Sequence, residues 1–243
     1  MSFPNFSDPQ WFYETSRPIV IGCYIVAFVL AVIGIYMGFF VTPIDYRQGN
    51  SYRIIFIHIP CAWMSLFTYL MMAFYTIWAL VTKSKMAPVF AVAMAPTGAI
   101  MGFIALFTGS MWGRPTWGTY WVWDARLTSM LILFFLYLGY IALHTAFDDW
   151  RKADRAAAVI AIVGALNVPI IYFSVRWWNT LHQGASITTH GTSMETTMFY
   201  TVLTMVAAMW IYCTGAIVRR ARTVVLERYR REPWARAAAA KEA

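Results

Sequence analysis

The chain has 243 residues, 60% of them hydrophobic and 12% charged, with mean hydropathy +0.56 and a formal net charge of +8. A soluble domain carries about 25% charged residues, so composition excludes one and points to an integral membrane protein. The basic balance then reflects topology and anionic lipid rather than nucleic acid.

Crossing the hydrocarbon takes about 20 predominantly apolar residues. The sequence offers six such stretches, near 18–41, 54–81, 88–111, 127–146, 156–176 and 197–218. The expected fold is all-α: a single membrane domain over 1–243 with six transmembrane helices, an aromatic-rich outer loop between the third and fourth, and a basic tail over 219–243. The first span follows a mildly acidic leader (Asp8, Glu14) and is too long for a signal-peptide core, so it reads as a mature helix. Its Gly34 and Gly38 form a small-xxx-small pattern that permits close helix contact. Cys23, Cys61 and Cys213 lie inside apolar spans without a CxxC pair, and read as small core residues.

The second span opens with Arg53 and carries His58 and Pro60. Proline is tolerated in a first helical turn, so the spacing predicts a helix start near His58. An ionisable side chain in apolar membrane sequence marks a functional site; a histidine bonded to a neighbouring helix is the alternative. Pro96 and Gly98 predict a kink in the third span.

Then comes WGRPTWGTYWVWDARLT, residues 112–128. Gly113, Pro115 and Gly118 argue against a continuous helix. Trp112, Trp117, Tyr120, Trp121 and Trp123 leave two readings: an interfacial aromatic belt, or a flat platform for something planar. Asp124 is placed to cap the fourth helix. His144 lies at that helix's far end, about 30 Å from the outer interface, and reads as a solvated helix end. Asn167 and Pro169 interrupt the fifth span, which ends at Arg176-Trp177-Trp178. The polar loop beyond holds His182 and His190. The terminal Ala237–Ala243 is expected to fray.

The positive-inside rule orients the chain. Arg219, Arg220, Arg222, Arg228, Arg230, Arg231, Arg236 and Lys241 in the tail decide it, placing both termini in the cytoplasm. His58, the aromatic stretch, Trp177, Trp178, His182 and His190 then gather on the outer side. Haem suits that company. Imidazole is a good axial ligand for iron, aromatic rings pack a porphyrin, and Arg114 or Arg126 can pair with propionates, unless both snorkel to lipid phosphates. Zinc fits less well, since structural zinc needs four clustered ligands.

The 112–128 segment resembles the tryptophan-rich signature of a haem-handling membrane family. Arg53…His58-Ile-Pro60 and Trp177-Trp178-Asn-Thr-Leu-His182-Gln-Gly are similar to its CcmC branch, which serves cytochrome c maturation. The resemblance covers most of the chain. It implies haem b held at the periplasmic face of a bacterial inner membrane, with His58 and His182 as axial ligands and His190 the lesser alternative to His182. Trp112, Trp117, Tyr120, Trp121 and Trp123 supply the platform, with Asp124, Arg126 and Arg114 in the same segment. It further implies presentation of haem to the chaperone CcmE, beside CcmD and the ATP-driven pair CcmA and CcmB, with no enzymatic chemistry. Tyr120 departs from the tryptophan that many relatives carry. A membrane b-type cytochrome and a transmembrane haem transporter are the alternatives; the first lacks a second histidine pair inside the spans, and the second lacks a repeat or a mid-span charge. No glycine-rich phosphate loop is present.

Overall fold

Prolines and short acidic side chains set the helix starts. The computed structural model describes residues 7–182, 184, 187–188 and 191–242. Asp8 caps α1 (Pro9–Thr15), and Pro18 opens α2 (Arg17–Tyr36), which a π turn extends through Met37–Val41. A 3-10 turn, Ser51–Ile54, feeds α3 (Ile55–Thr82), and Lys83 ends it at φ 56°. Then follow α4 (Ala87–Trp117) and α5 (Ala125–Thr145), the latter capped by Asp124, whose Oδ1 accepts from the Leu127 amide at 2.8 Å. Asp149 caps α6 (Trp150–Ala165), and Leu166 separates it from α7 (Asn167–Trp177), where Asn167 and Pro169 predict an interruption. Two short strands, β1 (Ile187–Thr188) and β2 (Gly191–Thr192), pair antiparallel ahead of α8 (Thr196–Arg228) and α9 (Pro233–Glu242). Among the described residues, six helices or helix pairs are long and apolar enough to cross a membrane, as the apolar runs predict. The protein is a multi-pass membrane protein.

The core lies where α3, α4, α5 and α6 meet. Tyr69, Met72, Leu133 and Tyr137 are fully buried there. Two glycines make this packing possible. A Cβ on Gly98 would stand 2.2 Å from the Tyr137 hydroxyl, and one on Gly164 2.1 Å from that of Tyr69. Each tyrosine donates to a backbone carbonyl, Tyr137 to Ser65 at 2.7 Å and Tyr69 to Ile160 at 2.8 Å. Gly98→Ala is therefore expected to destabilise by about 1–3 kcal/mol, the cost of overpacking. Tyr137→Phe, which keeps the ring, is expected to lose only about 0.6 kcal/mol. Thermal unfolding in detergent ranks the two, and equal shifts would remove close approach as the cause.

The small-xxx-small pattern of the first span also does what its spacing predicts. Gly34 faces Met205 of α8 and Gly38 faces Phe56 of α3, with Cβ clearances of 2.5 and 2.7 Å. The cysteines are free thiols, and Cys61 and Cys213 are buried.

Four sequence expectations are corrected. Pro60 does not sit in the first helical turn: α3 begins at Ile55, three residues before His58, so the proline forfeits the bond to Phe56. Gly113 and Pro115 do not break α4, which runs on to Trp117. Pro115 falls in its last turns, where one missing N–H frees only the Met111 carbonyl. Gly113 serves a crossing instead, since a Cβ there would meet the Thr119 carbonyl of the returning chain at 2.9 Å. The true stop is Gly118, at φ 80°, so the aromatic loop between the third and fourth spans shrinks to 118–124. The C-terminus is helical through Glu242, with Ala235 buried and Trp234 packed 6.3 Å from the Tyr13 ring. The first and last described helices, α1 and α9, meet at this pole of the bundle.

His144 is not a free helix end either. Its Nε2 lies 3.0 Å from Asp154 Oδ1, and the same carboxylate accepts both terminal nitrogens of Arg228 at 2.6 and 2.9 Å. A cleft of about 1430 Å³ opens here, its rim including Lys83, Lys85, Arg155, Arg230 and Arg231. That surplus of cations suits lipid phosphates.

Candidate functional site

The opposite pole collects the aromatic and imidazole side chains. His58 projects from the first turn of α3 against α4. Its ring meets the edge of Trp112 at 5.7 Å between centroids, and its Nδ1 is 3.1 Å from Thr108 Oγ1. Trp112 is 8% exposed and donates from Nε1 to Gln48 Oε1 at 2.7 Å, which ties the 42–52 loop over the helix ends. That loop is itself braced by Asp45, which accepts from the amides of Arg47 and Gln48.

His182 comes from the segment after α7. Its ring lies 6.3 Å from that of His58, with planes 26° apart, and Trp117 meets it edge-on at 5.5 Å. Both imidazoles line one cavity of about 60 Å³ together with Trp117, Trp121, Arg126 and Met130. Within it, Trp121 Nε1 is buried and has no hydrogen-bond partner among the described residues. Asp124 does not line the cavity; its buried Oδ2 also has no hydrogen-bond partner among the described residues, its other oxygen being spent on the cap of α5.

The remaining sequence candidates fall outside the cavity. Trp123 is 77% exposed and meets Trp121 edge-to-face at 5.5 Å. Tyr120 is exposed beneath the Arg114 guanidinium, 5.8 Å from its ring centroid. Arg114 itself donates to the Gly118 carbonyl and so closes the end of α4. Of the two arginines read as propionate partners, only Arg126 lines the cavity. Trp177 and Trp178 are exposed and packed edge-to-face on each other. His190 lies outside the described residues.

Arg53 has a structural assignment. It donates to the Gly38 carbonyl and, at 3.1 and 3.3 Å, to Thr42 Oγ1 and the Thr42 carbonyl. A cation thus closes the C-terminal end of α2, where the π turn leaves carbonyls unpaired.

Sequence reading missed Ala105, Thr108 and Gly109, which with Trp112 form the face of α4 turned to His58. Their spacing of three and four residues is the available signal, since such positions share one helix face. Nothing in a single sequence says which helix that face meets.

The arrangement defines a polytopic membrane protein with two imidazoles in a tryptophan-lined recess at one pole of its bundle. The sequence profile described as CcmC, Heme exporter protein C, matches residues 2–236. Heme exporter protein C of Escherichia coli (strain K12) is 47% identical over 210 residues, 86% of this chain and 85% of the relative. The protein of that name from Bradyrhizobium diazoefficiens is 43% identical over 229 residues, 94% of this chain and 87% of the relative. That from Haemophilus influenzae is 53% identical over 160 residues, 66% of this chain and 65% of the relative. The chain belongs to the CcmC family.

Proposed function

We propose that the chain handles haem for cytochrome c maturation, holding haem b as cargo between His58 and His182 and delivering it to the chaperone CcmE. One observation carries this reading: the two imidazole centroids stand 6.3 Å apart. Two metal–nitrogen bonds of about 2 Å and two ring radii of about 1 Å span about 6 Å, so the rings are spaced as a pair sharing one metal ion would be. The donor set agrees. Arg126 and the unpartnered Trp121 N–H suit carboxylates, and Trp112 and Trp117 present ring edges beside the imidazoles.

The cavity is smaller than a porphyrin. Ligand pockets for molecules of that class run to about 300–1,000 Å³, so loading requires the site to widen. That is the behaviour a carrier needs, because a site that opens also releases. The site lies at the periplasmic face of the bacterial inner membrane, with both termini and the cationic cleft in the cytoplasm, where Lys and Arg are favoured. CcmD, CcmA and CcmB are the partners that membership of the system implies. No bond in the cargo is made or broken by this chain.

Loading of CcmE in membranes tests the reading. His58→Ala is expected to abolish it, and Trp121→Ala to reduce it at equal protein level. Undiminished loading in both variants would sink the delivery role.

A further inference from the structure

We infer that Thr108 is the positioning residue for the cargo's iron ligand: its hydroxyl accepts the Nδ1 proton of His58 and so leaves Nε2 as the ring's only lone pair. The inference rests on the reading of His58 as an iron ligand and adds how that ligand is set.

The assignment follows from proton counting. A threonine hydroxyl has one hydrogen and two acceptor sites. Thr108 Oγ1 lies 2.6 Å from the Ile104 carbonyl and 3.3 Å from that of Ala105. Two oxygens approach to 2.6 Å only with a proton between them, and a carbonyl brings none. The hydroxyl hydrogen therefore belongs to Ile104. At its 3.1 Å contact with His58 Nδ1 the hydroxyl can only accept, so Nδ1 carries the proton. A histidine with Nδ1–H bonded in this way offers Nε2 to a metal.

Orientation is fixed by the same face of α4. The next residue, Gly109, lies against the imidazole, where a Cβ would stand 2.9 Å from Cε1 and 3.4 Å from Nδ1. Trp112, one turn further, meets the ring at 66°. Hydroxyl, bare backbone and indole thus hold one imidazole in one tautomer and one plane. His182 meets this ring from the segment after α7, with Trp117 edge-on to it.

Partners of this kind raise ligand basicity, and their loss costs about 10- to 100-fold in metal affinity. Thr108→Val keeps the shape and removes the acceptor; Thr108→Ser keeps the hydroxyl. The full-length protein in detergent is titrated with haem, and the midpoint potential of the loaded protein is measured. Thr108→Val is expected to bind haem about 10-fold or more weakly and to shift the potential upward, because a less basic imidazole stabilises the oxidised iron less. Thr108→Ser is expected to match wild type in both. The potential is read on loaded protein alone, so a lower yield of folded Thr108→Val does not enter it. The inference is overturned if Thr108→Val keeps the wild-type affinity and potential, or if Thr108→Ser shifts as far as Thr108→Val. His58→Ala runs alongside: if it binds haem as wild type does, the ligand reading itself has failed, which is a separate result.

Discussion

His58→Ala is expected to leave the purified protein without haem b, and His182→Ala to leave it with a reduced amount in an altered, five-coordinate spectrum. The asymmetry comes from the contacts that hold the His58 ring. His58 stands on α3 and is held by Thr108, Gly109 and Trp112 of α4. Removing it takes away the ligand that the bundle itself sets. His182 follows the end of α7 at Trp177 and meets Trp117 edge-on. Without it the cargo keeps one axial bond, the aromatic edges and the Arg126 charge. An absorption spectrum with a total-haem assay on each variant reads the difference. Wild-type spectra and haem content in both would remove the two-imidazole reading altogether, and a reversed order would move the fixed ligand to His182.

The second large effect lies at the other pole. Asp154→Ala is expected to destabilise the protein by about 3–5 kcal/mol, the cost of leaving a buried ion without its partner. The Arg228 side chain is 4% exposed and gives both terminal nitrogens to that carboxylate. Its guanidinium also covers the Trp150 ring at 4.7 Å, so no water can replace the lost acceptor from that side. His144 loses its bond at the same time. Asp154→Asn keeps one acceptor oxygen and should lose less. Unfolding temperatures in detergent give the ranking. Haem bound per folded molecule should not change, since α5 separates this cluster from the imidazole pair. Wild-type stability in Asp154→Ala would mean that the ion pair contributes nothing net.

What the sequence made legible was whatever local chemistry determines. Six apolar runs give six crossings, and Asp124 before a helical pattern gives a cap, because each needs only neighbours in the chain. The reading of Gly113 and Pro115 failed because both were taken as breakers regardless of position. Late in α4 a proline loses a single bond, and Gly113 is required by a crossing chain rather than by a turn. His144 shows the same limit: its partner Asp154 is ten residues away in sequence, and Arg228, which holds that carboxylate, is seventy-four further on. Topology alone predicts that His58 and His182 share a pole. Their separation, the assignment of Arg126 but not Arg114 to the cavity, and the face formed by Thr108 and Gly109 depend on how α4 is rotated against α3. No single sequence encodes that rotation in readable form.

The length of α4 has a consequence for where the cargo is met. Lys83 and Lys85, just before it, are drawn to one layer of headgroups. Trp112 lies 27 residues beyond Lys85 in the chain, about 40 Å along a helix rising about 1.5 Å per residue. The hydrocarbon is only about 30 Å thick. The helix therefore carries its indoles clear of the oil and into the opposite headgroup layer, where polarity climbs steeply over a few ångströms. A flat molecule with a greasy body and two acidic arms partitions to that same depth without help. The recess is thus stationed at the level where such a molecule collects by solubility, and it can be approached sideways along the membrane as well as from the water above.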